Sequence, residues 1–309
     1  MRITELQKSI LRLIQKESVL TTQVVSRRLS VPEVTASRNL KKLTELGYLS
    51  AFGKGRAVHY IQKTGATLQD ISQLQAKLES CRPFPPEIVQ NLEKALVGKF
   101  IHATNSIEGS QLTLRETDLI LAGATIKGSR DEIQEVKNQQ QALVLIKEFI
   151  KSKEVISEKF ILSLQKEVTA NVKDVFLNGK YRDQDVSIFG TNKIFPSPHE
   201  VPKLMQNLIA RINLMEEKQQ HPAIIAAYAH YQITAIHPFF DGNGRTARLI
   251  MNTLLLKNNY PITVIEFSKR AEYYEALQKA DNGLYEIFQA FIFGAIKKNL
   301  ELYLSVLEV

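Results

Sequence analysis

The sequence has few of the residues that build crosslinked or repetitive proteins. It contains a single cysteine, Cys81, which excludes an internal disulfide, gives no support for a cysteine-built metal site and predicts a cytoplasmic location. Its 14 glycines and 10 prolines are too few for a collagen-like or low-complexity chain. With 309 residues, of which 44% are hydrophobic, the chain is long enough to form two folded units.

Long apolar runs are also missing. The N-terminal segment places Arg2, Glu5 and Lys8 among its apolar residues, so no signal peptide is expected. The most apolar window, residues 222–240, is interrupted by polar side chains and falls short of the roughly 18 apolar residues of a membrane-spanning helix. We therefore expect a soluble protein with no membrane partner.

Positive charge is concentrated at one end of the chain. Residues 1–62 carry eleven Lys or Arg and four acidic residues, whereas the other 247 residues carry 29 bases and 28 acids. Almost the whole net charge of +8 therefore lies in the first fifth of the sequence. This distribution predicts contact with a polyanion.

The basic segment has the pattern of three helices followed by a hairpin. Apolar spacing and turn residues predict helices over 4–16, 22–29 and 32–46, and strands over 48–52 and 56–61, an order that resembles the winged helix-turn-helix family. The third helix is expected to direct four apolar residues inward: Val34, Leu40, Leu43 and Leu46. Such a helix fits a DNA major groove. Candidate DNA contacts are Ser37, Arg38, Lys41 and Lys42 on this helix and Lys54 and Arg56 on the wing. Docking onto a protein is the alternative, because this fold serves both uses.

Beyond residue 98 the periodicity predicts mainly long helices. They cover 115–123, 130–151, 155–170, 200–217, 222–236, 243–257, 271–280 and 284–307. The strand-like stretch 185–196 predicts a β-hairpin.

The segment HPFFDGNGRTAR, residues 237–248, lies between two of these helices. Gly242 and Gly244 stand on either side of Asn243, so backbone N–H groups can converge at the start of a helix whose dipole favours negative charge. Arg245 and Arg248, one turn apart, suit further phosphate oxygens. The pattern predicts a phosphate-binding site.

Two more groups flank this site. Asp241 offers a hard carboxylate oxygen of the kind that Mg²⁺ binds together with substrate phosphates. His237 is a base that titrates near neutral pH. A loop with a capping aspartate and a core histidine is the alternative, but it explains neither both glycines nor both arginines.

Eight fixed positions in this stretch match the His-x-Phe-x-Asp/Glu-Gly-Asn-Gly-Arg-x-x-Arg signature, so the chain resembles the Fic family. The resemblance implies a mainly α fold: an all-helical core with a β-hairpin flap over 99–309, preceded by a winged-helix domain over 1–62 and a helical linker over 63–98. It also implies transfer of AMP from ATP to a protein hydroxyl, called AMPylation, with Mg²⁺ as cofactor.

The resemblance assigns roles residue by residue. His237 would deprotonate a Ser, Thr or Tyr hydroxyl, and Asp241 would bind the Mg²⁺ that bridges the α- and β-phosphates. Phe239 would be a buried anchor. The implied nucleotide-binding residues are Gly242, Asn243, Gly244, Arg245 and Arg248, with the arginines on the β- and γ-phosphate sides.

Two further patterns extend the resemblance. Tyr181-Arg182 followed by Val186-Ser187-Ile188 resembles a flap that pairs with the target over the nucleotide, with an ordinary surface hairpin as the alternative. Tyr273-Tyr274 resembles a pair lining the adenine pocket, although two tyrosines on a helix also suit a core. Asp281 stands where the family frequently has Asn, which leaves the purine contact open.

Residues 104–109, with Thr104, Glu108 and Gly109 at the fixed positions, resemble the family's inhibitory pattern. On that model Glu108 pairs with Arg248 and displaces the γ-phosphate of ATP. A helix-capping glutamate is the alternative.

Competing functions are a DNA-binding regulator whose Fic core senses nucleotide, transfer of another phosphate-containing group, and removal of AMP from a protein. Candidate partners are a protein with a hydroxyl acceptor, DNA and a second copy of the chain.

Overall fold

The computed structural model describes residues 4–17, 19–53, 58–62, 66–172, 178–187 and 193–307. The chain forms two compact units, residues 1–65 and 66–309.

The first unit packs three helices against a three-stranded antiparallel sheet. Its elements are α1 (Glu5–Glu17), β1 (Val19–Thr21), α2 (Thr22–Leu29), α3 (Glu33–Glu45), β2 (Leu49–Phe52) and β3 (His59–Gln62). β3 lies in the middle, with Tyr60 opposite Leu20 of β1 and Ala51 of β2. The predicted order of three helices and a hairpin is confirmed, and β1 is an additional strand.

At the start of helix α3 the buried residue is not the one that the sequence predicts. Val34 was expected to face inward, but it is 71% exposed, and this prediction is wrong. The helix begins at Glu33, so the positions that share one face with the buried Leu40 and Leu43 begin at Ala36. Ala36 is fully buried and belongs to the same hydrophobic core as Leu40 and Leu43.

The described part of the second unit is helical. Its helices are α4 (Leu68–Ser80), α5 (Pro86–Glu108), α6 (Leu114–Leu121), α7 (Arg130–Ser152), α8 (Glu158–Thr169), α9 (Val201–Glu217), α10 (Pro222–Ile236), α11 (Asn243–Leu256), α12 (Arg270–Asp281) and α13 (Tyr285–Leu307). Helix α10 is apolar on nearly every side and packs against α9, α11 and α13, which makes it central to the core.

The predicted helices beyond residue 98 are all present, with ends within three residues of the expected ones. The proposed boundary between linker and catalytic domain, 98/99, falls inside α5, and α4 packs against α13. The described residues 181–187 and 193–199 contain no strand of the predicted hairpin, and 188–192 lie outside the described residues. Among the described helices, none is both long and apolar enough to cross a membrane.

Candidate active site

The loop between α10 and α11 is shaped by its own residues. His237 ends α10 in a left-handed conformation (φ 52°), and its N–H donates to the Ile233 carbonyl at 2.9 Å. Gly242 precedes α11 with a φ of 80°, which favours glycine, and a side chain there would also lie 3.1 Å from the methyl group of Thr169. The backbone therefore turns twice in six residues.

Asn243 ties this loop together. Its Oδ1 accepts from the Phe239 N–H at 2.9 Å and its Nδ2 donates to the Phe239 carbonyl at 2.7 Å. Both side chains are buried. Its side chain thus braces the loop, a role that sequence reasoning missed although the four-residue spacing between the two positions was visible. The first-turn N–H groups of α11 have no acceptor within their own helix and suit an anionic partner.

The imidazole of His237 is half-buried and packs against the segment that precedes α9. The Phe195 ring lies 4.3 Å from the imidazole between centroids, and Lys193 lies 5.1 Å from the Phe195 ring. Burial, helped by the positive charge of Lys193, lowers the pKa of His237 to about 4. The ring is therefore neutral at pH 7 and able to accept a proton.

Arg182, in the segment between α8 and α9, is hydrogen-bonded to the loop between α10 and α11. Its N–H donates to the Pro238 carbonyl at 2.9 Å, and its Nε donates to the His237 carbonyl at 2.8 Å. The guanidinium also reaches the carbonyls of Gln184 and Pro196. Because Arg182 is buried, these bonds join three segments around the imidazole.

Asp241 and Arg245 form a network with Glu135 of α7. Arg245 Nη2 donates to Asp241 Oδ2 at 2.9 Å, and Nη1 donates to Glu135 Oε1 at 2.5 Å. Burial raises the pKa of Glu135 in spite of the adjacent guanidinium. The Asp241 side chain is 47% exposed, so its carboxylate faces solvent while Arg245 is buried. No sequence pattern singled out Glu135.

Arg248 is buried against the end of α5. Its Nε donates to Thr104 Oγ1 at 2.7 Å, and its Nη2 donates to Glu108 Oε1 at 2.5 Å. Burial opposes its charge, but Glu108 holds the pKa of Arg248 above its ordinary value. Arg248 Nη1 is buried with no hydrogen-bond partner among the described residues.

The carboxylate of Glu108 lies against the start of α11. A Cβ added to Gly244 would be 2.3 Å from Glu108 Oε1, so only glycine permits this approach. The carboxylate thereby occupies the place at a helix N-terminus where an anionic ligand would gain most.

The two predicted adenine-pocket tyrosines differ in environment. Tyr273 is fully buried, lies 6.0 Å from the Arg248 guanidinium and is within 3.3 Å of His230 Nε2. Tyr274 is 41% exposed, and its hydroxyl donates to the Ile107 carbonyl at 3.4 Å. Asp281 pairs with Lys193 at 2.8 Å, so its carboxylate is engaged by the flap region.

Two models of known protein families match separate parts of this chain. The model of the Fic/DOC family matches residues 155–255, which include the loop described above. The chain carries a domain of the Fic/DOC family. A winged helix-turn-helix DNA-binding model matches residues 3–50, outside the Fic domain.

Relatives of the Fic domain include named enzymes. Protein adenylyltransferase Fic from Drosophila persimilis is 36% identical over 218 residues, which cover 70% of this chain and 42% of that protein. The chain thus spans less than half the length of this relative. A Fic domain containing signaling protein from Bacteroides thetaiotaomicron is similar in structure (TM-score 0.73, 27% identity, 77% of this chain and 97% of that one). Fic-1 from C. elegans shares the fold (TM-score 0.72, 23% identity, 89% and 77%).

The remaining predicted site residues are distributed as follows. In the Fic domain, Val186 is half-buried, and Ile188 lies outside the described residues. In the winged helix, Arg38 and Lys41 are exposed, and Ser37 and Lys42 are half-buried. Lys42 pairs with Glu45 at 3.1 Å. Lys54 and Arg56 lie outside the described residues.

Proposed function

We propose that the Fic domain is a protein adenylyltransferase that moves AMP from ATP to a Ser, Thr or Tyr hydroxyl of a protein. The observation that carries this proposal is one short segment, residues 237–248, that brings together a neutral imidazole, a carboxylate, the N-terminus of a helix and two buried arginines. The name of the Drosophila relatives supports the same activity.

In this reaction the protein has to accept one proton, that of the acceptor hydroxyl. The acceptor hydroxyl oxygen forms a bond to the α-phosphorus of ATP, the bond from that phosphorus to the bridging oxygen breaks, and pyrophosphate leaves. The hydroxyl proton passes to the imidazole of His237, whose lowered pKa keeps it neutral and available. The first-turn N–H groups of α11, with Arg245 and Arg248, would stabilise charge on the phosphates.

Asp241 is the candidate residue for Mg²⁺. The described residues contain no cluster of three His, Cys, Asp or Glu side chains, so a protein-only metal cage is not formed by them. A single half-exposed carboxylate fits an ion that takes most of its ligands from water and substrate phosphates. Bound there, Mg²⁺ would neutralise negative charge between phosphates, and the bond from Arg245 would orient the carboxylate.

We further propose that Glu108 inhibits transfer. Its carboxylate neutralises Arg248 and lies against Gly244, where phosphate oxygens would otherwise gather. ATP would then bind with its γ-phosphate displaced and its α-phosphorus misaligned. A charged hydrogen bond to a buried guanidinium is strong enough to hold an inactive state and is still reversible.

Substitution of Glu108 tests the activity and the inhibition together. Glu108→Gly is expected to raise incorporation of labelled AMP into the protein or a partner by more than about tenfold, since a charged hydrogen bond is lost. Glu87→Gly, at the exposed opposite end of α5, is the matched control for a glycine in this helix and should behave like wild type. Equal incorporation in wild type and Glu108→Gly would reject the inhibition, and no AMP adduct in any variant would reject the transferase.

DNA binding by the first unit is a second candidate function. It is supported by the winged-helix match and by the exposed Arg38 and Lys41 on α3. We expect the protein to bind duplex DNA with an affinity that falls steeply as salt is added. The double substitution Arg38→Ala with Lys41→Ala should reduce that affinity. Salt-independent binding to a protein would favour the docking alternative instead.

Removal of AMP is tested in the same assay. Release of AMP from a labelled protein by the wild type, and not by Glu108→Gly, would indicate that Glu108 orients water.

We also propose a cytoplasmic location, which the exposed free thiol of Cys81 supports. Assembly into a homo-oligomer stays a prediction.

A further inference from the structure

The last turn of α5 ends in carbonyl groups that need donors from elsewhere. The final carbonyls of any helix have no partner within it, and α5 ends at Glu108. The N–H of Ser110 donates to the Asn105 carbonyl and that of Gly109 to the Ser106 carbonyl, both at 3.1 Å. The next carbonyl belongs to Ile107, the residue directly before Glu108.

Two side chains of α12 supply donors to Ile107. Arg270 Nε donates to its carbonyl at 2.7 Å, and the Tyr274 hydroxyl donates to it at 3.4 Å. The Arg270 guanidinium also lies 5.1 Å from the centre of the Tyr274 ring, so the two side chains brace each other. We call this arrangement the Arg270 clamp.

Electrostatics explains why such a clamp is needed at this position. Glu108 is a carboxylate at the C-terminal end of its own helix, where the helix dipole disfavours negative charge. A cation bonded to the adjacent carbonyl offsets that penalty. Arg248 neutralises the carboxylate from one side, and Arg270 neutralises the helix end from another.

We propose that Arg270 is a positioning residue that keeps Glu108 on Arg248, so that inhibition depends on α12 as well as on the ion pair. This inference rests on the inhibition proposed above. Arg270 is exposed, whereas Arg248 is buried. The clamp is therefore reachable from solvent, and its removal should leave the core intact.

A double-mutant comparison tests the clamp. Arg270→Ala is expected to raise AMP incorporation by about three- to tenfold, as befits one lost charged hydrogen bond at a partly exposed site. In the Glu108→Gly background the same substitution should add nothing, because no carboxylate remains to be positioned. Lys269→Ala, which removes the neighbouring exposed cation paired with Glu272 at 2.6 Å, should match wild type.

A second measurement does not depend on activity. Hydrogen exchange at the amides of Gly109 and Ser110 should be faster in Arg270→Ala, because their bonds to α5 lose support when the helix end loosens. Lys269→Ala should leave that exchange unchanged.

The outcomes separate the clamp from the proposed function. If Glu108→Gly is activated while Arg270→Ala keeps wild-type incorporation and exchange, the clamp is rejected and the inhibition stands. A gain from Arg270→Ala of equal size in the Glu108→Gly background also rejects the clamp, since the effect would not act through Glu108. If Glu108→Gly itself is not activated, the inhibition fails and the clamp fails with it.

Discussion

The loop between α10 and α11 and the last turn of α5 differ in the contacts that hold them in place. Within the loop, hydrogen bonds join residues close in sequence, such as Asn243 to Phe239 four positions away and His237 to Ile233, and Arg182 adds a bond from 55 positions away. Glu108, in contrast, meets Arg248 across 140 positions, and Ile107 meets Arg270 across 163.

This difference means that the loop can keep its shape while Glu108 is bonded to Arg248, as the proposed inhibition requires. The loop keeps its shape through its own hydrogen bonds and those of Arg182, whereas the proposed block depends on how α5, α11 and α12 pack against one another. Loss of the contacts made by the last turn of α5 should therefore release the block and leave the loop unchanged. The following predictions test that separation, from the largest expected effect to the smallest.

His237→Ala should remove the chemistry and leave the nucleotide site in place. In the Glu108→Gly background we expect transfer to fall by about 10²- to 10⁴-fold, the usual contribution of a general base. ATP binding measured by calorimetry should be retained, because the cradle is formed by other residues. His199→Ala, at an exposed histidine, is the control. Retained transfer in His237→Ala would contradict the assignment of the base.

Asn243→Ala should damage the loop whether or not the block is present. The substitution leaves the buried N–H and carbonyl of Phe239 without partners, at a cost of about 1–3 kcal/mol for each group. Transfer should fall at least about tenfold, and by the same factor in the wild-type and Glu108→Gly backgrounds. Asn258→Ala, at an exposed position just after α11, is the control. Unequal factors would show that loop and block are coupled.

Thr104→Val should weaken the block from the α5 side. Valine keeps the shape of threonine but removes the oxygen that accepts from Arg248 Nε at 2.7 Å. We expect AMP incorporation to rise about three- to tenfold, with no gain in the Glu108→Gly background. Thr104→Ser retains the hydroxyl and should stay near wild type. A fall in incorporation would indicate that Thr104 serves catalysis instead.

Lys193→Met should change the titration of the base with little effect on the fold. Lys193 lowers the pKa of His237, second only to burial, so removing its charge should raise that pKa from about 4 towards 6.5. The imidazole of the variant would then be protonated at a higher pH, and the acid limb of the transfer rate would move upward. NMR titration of His237, with Lys180→Met as control, measures the shift. A pKa of about 6.5 in the wild type would contradict the enclosure by Phe195 and Lys193.

Much of the second unit follows from local pattern. The helices appear where apolar spacing and turn residues predict them, because each amphipathic stretch carries its own start and stop signals. Gly242 and Gly244 were likewise visible in the local pattern. The motif therefore predicts the place of the site, and its chemistry stays a prediction.

Other features depended on packing that no local pattern carries. Val34 lies at the start of α3, where its helical position is clear but the direction of the core is not. The partnership of Glu135 with Arg245 joins residues 110 positions apart. The hydrogen bonds of Arg182 to the catalytic loop likewise arise from the way its segment folds back.

The sequence by itself determined the helical architecture, the glycine turn before α11 and the basic character of the first unit, because each arises from neighbouring residues. Only the tertiary structure decided that the imidazole is enclosed and neutral, that Glu135 steadies Arg245, and that Arg270 braces the turn before Glu108. These properties come from burial and from charges on separate helices, whose spacing is set by the packed core and not by their order along the chain.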